Sequence, residues 1–291
     1  MSGAGSPTEQ YDITYTSGMF TTHQLKPRTA VSLAFTGWAH WLRQHGLSHS
    51  VLITRYRAGF VPVGVRVTYE QPHDFLDGDS LTVQTALVTW QPRRFPTCQQ
   101  LDTRILSGET LLAGVRIQMV GVRIESDASL AALPGTTPEP LAGLLCDPTL
   151  AGEPPPRFLS RAAPADEGRE LHHWFEYPFT VHRGMCEIGD QWYFESVPDL
   201  LGAARESLVF AAAPRERALL PGLSEPLTAV QYGLKQPFCF LDTGTVRTRV
   251  HAVGEELRFV HELVTAGGVV AGHALETVQV AGPGDSPTSE E

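Results

Sequence analysis

Two charged residues, Arg205 and Glu206, lie inside the otherwise apolar stretch LLGAARESLVFAAA. A stretch that is apolar nearly all round predicts a helix that is buried on most sides. Burying an unpaired charge is costly, and neighbours in sequence do not face each other on a helix, so each charge needs its own partner or a polar pocket. Arg205 is therefore the best single polar candidate for chemistry. The structural alternative is an ion pair with a strand residue such as Glu262 or Glu276.

A polar loop precedes this helix and carries further reactive side chains. The segment MCEIGDQWYFES holds the thiol of Cys186, the carboxylate of Glu187, the amide of Gln191 and the phenol of Tyr193. A loop carboxylate can act as a general base on water, or it can attack a carbonyl carbon directly. Backbone N–H groups where a loop enters a helix are suited to hold the carbonyl oxygen. We therefore expect the chemistry of the chain at this junction.

Helix and strand patterns occur in the same order in two parts of the chain. Pro198 at a first helical position, with Asp199 behind it, predicts a helix over residues 198–212, because the missing N–H would be unpaired there and the carboxylate meets the positive helix end. A matching helix is expected over residues 27–45, ended by Gly46. Each helix follows one strand and precedes four more, which predicts an α+β fold with antiparallel strands.

Three short segments occur twice, in the same order. QPHDFLD at Gln71–Asp77 is repeated as QPFCFLD at Gln236–Asp242. The other two pairs begin at Tyr11 and Tyr177, and at Leu111 and Val269. Repeats in one order indicate a duplicated unit of domain size. The Q-P-x-x-F-L-D segment is expected to mark the same turn between strands in each copy, and the changing offset predicts a longer hairpin near residues 90–100 of the first copy.

The repeats divide the chain into four parts. The first repeat covers residues 1–125 and the second covers residues 171–281. Between them, residues 126–170 are rich in Pro and Ala and are expected to form a linker. Residues 282–291 are expected to be a disordered tail.

Composition narrows the classes of function. The chain has 291 residues, of which 42% are hydrophobic, and a net charge of −10, which argues against nucleic acid as the main partner. No apolar run approaches the length that spans a bilayer, so no membrane partner is expected. The four cysteines form no C-x-x-C motif and no signal peptide is visible, so we expect a cytoplasmic protein. Motifs for metals, nucleotides and serine hydrolases are missing from the sequence, and we predict no metal site.

The stretch EIGDQWYFESVPDLLGAARE resembles the loop-and-helix signature of hotdog thioesterases, including the 4-hydroxybenzoyl-CoA thioesterase type and the thioesterases of enediyne polyketide pathways. The resemblance implies a tandem hotdog, in which two long central helices are each wrapped by an antiparallel sheet and the two copies form a pseudo-dimer. It implies hydrolysis of an acyl thioester on CoA or an acyl carrier protein, in a polyketide or other biosynthetic pathway. CoA or phosphopantetheine would then belong to the substrate, with no separate cofactor. A homodimer of the tandem chain is a further possibility.

The same resemblance assigns roles to particular residues. Counting back from Arg205 without gaps places Glu187 where the family carries its catalytic Asp or Asn, whereas a gap of one residue places Cys186 there. Arg205 would orient Glu187, or bind the thioester or a substrate carboxylate. Thr21 lies opposite Glu187 in the first repeat, which predicts a single active site between the halves. His23 and His40 occupy the corresponding loop and helix of the first repeat.

A phosphate-bearing substrate needs local positive charge in a chain of net charge −10. We expect the phosphopantetheine arm to enter along a rim of basic residues. Arg247 and Arg249 share one strand face by the period of two and are the favoured pair. The whole set is Arg183, Lys235, Arg247, Arg249 and Arg258.

Two other classes of function stay open. A double hotdog also serves dehydratases and acyltransferases with decarboxylase activity, although HRGMCEIGD lacks the Pro of the usual dehydratase loop motif. A non-catalytic protein could instead hold an acyl chain. His182, His261 and His273 alternate with apolar residues and are expected to face solvent.

Overall fold

One sheet of twelve strands runs through both repeats in the computed structural model of the chain. The structure describes residues 9–90, 96–125, 132–138, 149–150, 168–187 and 190–280. The strands are β1 (Glu9–Thr14), β2 (Ala58–Tyr69), β3 (Ser80–Trp90), β4 (Cys98–Ser107), β5 (Thr110–Ile124), β6 (Ala132–Pro134), β7 (Thr149–Leu150), β8 (Arg169–Thr180), β9 (Leu227–Leu234), β10 (Thr243–Val253), β11 (Glu256–Thr265) and β12 (Val270–Gln279). The helices are α1 (Pro27–Gln44), α2 (His49–Tyr56), α3 (Val197–Ala212) and α4 (Pro221–Ser224).

The two repeats contribute matching halves of this sheet. Its main path is β1-β3-β4-β5-β2 followed by β9-β12-β11-β10-β8, so each half has the same internal order. The halves join through antiparallel pairing of β2 with β9, in which Val65 lies opposite Tyr232 and Val67 lies opposite Val230. An unpaired sheet edge invites aggregation, and the duplicate supplies the missing partner within the chain. The predicted edge-to-edge pairing is confirmed.

A long helix packs against the inner face of each half. Helices α1 and α3 confirm the predicted helices over 27–45 and 198–212, and each has a proline in its first turn. Their buried side chains join those of the strands in one apolar cluster that spans both repeats. The burial of α3 is nevertheless incomplete, because Phe210 is 81% exposed. One face of the second central helix is therefore exposed in the part of the chain that the structure describes, while the sheet covers its other sides as expected.

The repeated Q-P-x-x-F-L-D segment forms the same turn twice, between β2 and β3 and between β9 and β10. In the first turn, a carboxylate oxygen of Asp77 accepts a hydrogen bond from the backbone N–H of Asp74 at 2.8 Å. In the second turn, Asp242 accepts one from Cys239 at 2.7 Å. Such side-chain bonds to the backbone are why Asp favours turns. The recurrence of the motif is explained by this closure of the turn.

Several other expectations can be placed on the fold. The first repeat has the longer hairpin, since residues 91–97 join β3 to β4, whereas Gly254 and Glu255 alone join β10 to β11. Helix α2 was not predicted. Within the expected linker, β6 pairs with β5 and β7 pairs with β3. The rest of the linker, except residues 135–138 and 168–170, and the expected tail lie outside the described residues, and the domain boundaries stay predictions.

Candidate active site at the start of the second central helix

The loop before α3 is held on both sides by backbone hydrogen bonds. The N–H of Glu187 donates to the carbonyl of Gln191 at 2.9 Å, and the N–H of Tyr193 donates to the carbonyl of Met185 at 2.7 Å. The turn after β9 supports the outer side of the loop, because the N–H of Trp192 donates to the carbonyl of Phe238 at 2.7 Å. The position of Glu187 is therefore fixed by the neighbouring backbone.

Glu187 combines exposure with a shifted pKa. Its side chain is exposed by surface area. Atoms of the surrounding loop nevertheless withdraw enough of the carboxyl group from water to raise its pKa above the ordinary value. The next carboxylate in the loop, Asp190, forms an ion pair with Arg183. Glu187 is thus the carboxylate of this loop whose environment favours taking up a proton, which is the property that a general base needs.

Tyr193 and Glu195 form a second pair of polar groups at the same junction. The hydroxyl of Tyr193 donates a hydrogen bond to the carboxylate of Glu195, which is only 5% exposed. Burial raises the pKa of Tyr193, and the hydrogen bond and the charge of Glu195 raise it further, as does the charge of Glu187, while Arg28 opposes the rise. Tyr193 therefore stays protonated at neutral pH and is a hydrogen-bond donor to Glu195 that also feels the charge of Glu187.

The first repeat reaches this junction through α1. Arg28 of α1 forms an ion pair with Asp199 of α3 at 2.7 Å, with about half of each side chain exposed. Because Arg28 also influences the pKa of Tyr193, residues of both repeats contribute to the electrostatics of one place. The junction lies on the seam between the repeats, and a single active site at this seam stays a prediction.

The N-terminal end of α3 is left available by its own side chains. Among the described residues, no side chain caps this helix. The hydroxyl of Ser196, which stands at the cap position, instead donates to the carbonyl of Tyr193 at 2.8 Å and accepts from the indole N–H of Trp192 at 2.6 Å. The positive end of the helix dipole therefore faces the loop without a side-chain cap, and the acidic residue of its first turn, Asp199, is paired with Arg28. A carbonyl oxygen that gains negative charge would be stabilised there.

The corresponding loop of the first repeat is one residue shorter and has different chemistry. The N–H of Thr21 donates to the carbonyl of Gln24 at 2.8 Å, three residues on, whereas Glu187 donates to Gln191, four residues on. The hydroxyl of Thr21 is used to close this turn. His23 is exposed, and His40 lies elsewhere, in an open depression of about 320 Å³ that Glu9 also lines. The first loop thus lacks a carboxylate at the position of Glu187.

Solved structures with the same arrangement of elements exist at low sequence identity. The chain superposes on a protein from Lactobacillus plantarum designated an oleoyl thioesterase with a TM-score of 0.71 and 11% identity, covering 96% of this chain and 98% of that one. A 12:0-ACP thioesterase from Umbellularia californica gives a TM-score of 0.68 at 8% identity, with 94% of each chain covered. An acyl-ACP thioesterase from Bacteroides thetaiotaomicron gives 0.61 at 9% identity, covering 94% and 98%. The chain has the hotdog fold.

These likenesses cover nearly the whole chain, and we refer to each half of the sheet with its central helix as a hotdog unit. At such identities the likeness shows the fold alone. No protein-family model and no curated protein sequence matches the chain. Among the described residues, no helix is long and apolar enough to cross a membrane.

Arg205 lies in the interior of the second hotdog unit and has charged partners there. Its guanidinium is 2.9 Å from the carboxylate of Glu276 on β12 and 3.7 Å from that of Glu206. The ion pair with Glu276 is the structural alternative that the sequence left open. Both contacts are with residues other than Glu187, and joint action of Arg205 with Glu187 stays a prediction.

Two histidines that were expected to face solvent are buried, and that expectation was wrong. His261 of β11 is 0% exposed because it points from the sheet toward α3, where its ring lies 3.3 Å from Glu276 and 2.9 Å from the hydroxyl of Thr248. His273 is 6% exposed and lies 3.1 Å from the ammonium group of Lys235. Alternation with apolar residues cannot tell the inner from the outer strand face when both are covered.

The five residues of the predicted basic rim lie in different surroundings. Arg183 contacts the candidate loop itself through Asp190. Lys235 lies beside His273. The other three are on strands, where Arg247 pairs with Glu176 at 3.0 Å, Arg249 lies 4.5 Å above the ring of Trp174, and Arg258 pairs with Glu256 at 3.0 Å. Arg247 and Arg249 do share one face of β10, and a role in binding phosphopantetheine stays a prediction.

Sequence reasoning missed two residues of the junction and left the roles of others untested. Glu195 and Arg28 were not singled out, although Arg28 stands in the first turn of one predicted helix and Glu195 lies three residues before the other. Of the expected residues, Cys186 is half-buried with its thiol 3.5 Å from the carbonyl of His182. Gln191 contributes its backbone carbonyl to the loop. The catalytic assignments of Cys186, Gln191 and Tyr193 stay predictions.

Proposed function

We propose that the chain hydrolyses an acyl thioester carried by the phosphopantetheine arm of CoA or an acyl carrier protein. The observation that carries the proposal is the position of Glu187, a carboxylate with a raised pKa in the loop that faces the uncapped N-terminus of α3. The hotdog fold supports thioester hydrolysis in general, since structural neighbours include two acyl-ACP thioesterases. A polyketide pathway and a cytoplasmic location remain part of the proposal.

In this proposal, Glu187 removes a proton from a water molecule as the water attacks the thioester carbonyl. The alternative is direct attack by the carboxylate, which forms a mixed anhydride that water then cleaves. In both routes the carbonyl oxygen gains negative charge near the positive end of α3. The carbon–sulfur bond breaks, the thiolate takes up a proton, and the products are a carboxylic acid and a free thiol.

Tyr193 and Arg28 have supporting roles in the proposal. The hydroxyl of Tyr193, which stays protonated, donates to Glu195 and so offsets part of the negative charge of that carboxylate near Glu187. Arg28 adds a positive charge from the first hotdog unit. The phosphopantetheine arm would pass basic residues outside the loop, with Arg183 at the loop itself.

The test is to incubate the purified chain with acyl-CoA and acyl-carrier-protein thioesters of different lengths and to measure free thiol. Thiol release that depends on the enzyme is the expected result. A dehydratase would change the acyl chain and leave the thioester intact, which mass spectrometry of the acyl carrier detects. Binding of the thioesters without any turnover would favour a non-catalytic acyl-binding protein and would refute the proposal.

A further inference from the structure

An open depression of about 320 Å³ lies in the first hotdog unit, at the end of α1 that is remote from the candidate loop. It is lined by Glu9 at the start of β1 and by three residues from the last two turns of α1, His40, Arg43 and Gln44. These three share one face of the helix, because they are three or four positions apart. A helix rises about 1.5 Å per residue, so Arg43 lies about 22 Å along α1 from Arg28. The depression is therefore separate from the candidate active site.

The carboxylate of Glu9 is buried without a partner. Glu9 is only 9% exposed, and among the described residues no ion pair or side-chain hydrogen bond engages it. It lies on the same face of β1 as Tyr11, whose hydroxyl donates to the carbonyl of Leu33 in α1 at 2.7 Å. Withdrawing a carboxylate from water is costly unless a charge or a hydrogen-bond donor meets it. Glu9 thus faces the depression with its negative charge unsatisfied.

Arg43 brings an unpaired positive charge to the same depression. Its side chain is exposed, and in the part of the chain that the structure describes it forms no ion pair with Glu9 or with another carboxylate. Gln44 adds an amide group, and His40 adds an imidazole whose ring lies 4.8 Å from that of Tyr11. The depression therefore presents one anion, one cation and further polar groups.

The second hotdog unit has apolar residues in the corresponding place. When the buried positions of α1 are matched with those of α3, Phe210 takes the position of Arg43. Phe175 takes the position of Glu9, because β1 and β8 pair in the same register with the starts of β3 and β10. The fold therefore accepts apolar residues here, and the charges of the first unit are not needed to form it.

We propose that this depression is a second binding site, whose ligand is a small zwitterion with an ammonium group and a carboxylate. The ammonium group donates to Glu9 and so satisfies the buried charge, while the carboxylate accepts from the guanidinium of Arg43. The negative end of the α1 dipole also favours the ammonium group. A volume of about 320 Å³ is within the range of small-molecule sites. The inference does not depend on the proposed function, because the candidate loop forms no part of this site.

The test measures binding of unbranched amino acids to the full chain by titration calorimetry. Glycine, β-alanine, 4-aminobutyrate and 6-aminohexanoate place the two charges at increasing separation. Each is compared with the alkylamine and the carboxylic acid that lack one of its charges. One of the four zwitterions is expected to bind at least about tenfold more tightly than both of its singly charged analogues, because each charged hydrogen bond contributes to affinity.

Two variants remove the charges of the site one at a time. Glu9→Gln and Arg43→Met should each weaken binding of the preferred zwitterion by at least about tenfold. Without ligand, Glu9→Gln should unfold at the wild-type temperature or above, since the carboxylate has no partner to lose. Glu109→Gln and Arg104→Met are the matched controls, because they make the same changes of charge at exposed positions outside the depression. Both should keep the wild-type affinity.

Three results would overturn the inference. The first is that no zwitterion binds the wild type more tightly than its singly charged analogues. The second is that Glu9→Gln binds as tightly as the wild type. The third is a clear loss of stability in Glu9→Gln without ligand, which would show that Glu9 has a partner within the fold. Absence of thiol release from thioesters would instead refute the proposed function and leave this inference standing.

Discussion

The carboxyl of Glu187 is the residue on which the proposed chemistry depends, and its protonation sets a pH dependence. Partial removal from water raises its pKa above 4.5 in the folded protein. A general base must be deprotonated, so kcat/KM should fall as the pH falls through this raised pKa. The acid limb of the pH profile is expected above pH 4.5 for the wild type, measured with a substrate that is stable over the range. A limb at or below 4.5 would show that another group controls the rate.

Glu276 has the opposite shift and therefore affects stability. Its pKa in the folded protein is below 4.5 because Arg205 and His261 favour the charged form against the effect of burial. A depressed pKa contributes stability that is present above pH 4.5 and is lost as the pH falls through the folded value. Urea unfolding of the wild type should therefore show a loss of stability on acidification below pH 4.5. Glu276→Gln should be less stable than the wild type at pH 7 and should lose less stability on acidification. If the free energy of unfolding of Glu276→Gln falls with pH as steeply as that of the wild type, this account is contradicted.

The sequence indicates which polar residues need a partner, but it does not show which residues surround them in the fold. The need of Arg205 for a partner followed from a charge in an apolar helix, and Glu276 was among the two candidates considered. The burial of His261 could not be derived, because its strand alternates in the same way whichever face meets the helix. Glu195 was missed because its contact with Tyr193 depends on a short helical turn, Phe194–Ser196, which no pattern in the sequence predicts.

At the scale of elements, the two Q-P-x-x-F-L-D turns provide a matched pair for mutation. Asp77→Ala and Asp242→Ala each remove a hydrogen bond that closes a turn, and each should lower the free energy of unfolding by about 1 kcal/mol. The second turn also holds the candidate loop, because the N–H of Phe240 donates to the carbonyl of Asp190 at 2.8 Å. Asp242→Ala should therefore also lower kcat for thiol release.

The comparison of the two variants provides its own control. Asp77→Ala lies in the first repeat and should leave kcat near the wild-type value at a similar cost in stability, as followed by thermal unfolding. Equal effects on kcat would mean that activity depends on overall stability. In that case the support of the loop by the second turn would have no specific role.

Elements were the most predictable level of the molecule. The helix starts were predictable from Pro27 and Pro198, and the repeated turn was predictable from the two copies of Q-P-x-x-F-L-D. Both features depend on local backbone chemistry. Helix α2 was missed although Ser48 caps it by accepting a hydrogen bond from the N–H of Val51 at 3.2 Å. A short helix marked by one capping serine gives a weaker signal in the sequence than the long apolar faces of α1 and α3.

At the scale of the whole molecule, the hotdog units share one core and one sheet, which predicts cooperative unfolding. The apolar cluster includes Trp38 and Trp41 of the first unit and Trp192 of the second. Unfolding in urea should therefore show one transition, with fluorescence and circular dichroism changing together. Val230→Asp, which places a charge at a fully buried position on the seam strand β9, should shift the whole transition. Two separate transitions would show that the units are independent.

The central claim is that Glu187 performs thioester hydrolysis, and thiol release by Glu187→Gln tests it most directly. Loss of a general base or nucleophile should lower kcat by at least about 100-fold, while thermal unfolding stays close to that of the wild type. Asp190→Asn is the matched control in the same loop, because Asn also tolerates the left-handed backbone there, at φ 55°, and it should keep most of the activity. If Glu187→Gln hydrolyses a good substrate at the wild-type rate, the assignment is wrong, and Cys186 is the next residue to replace.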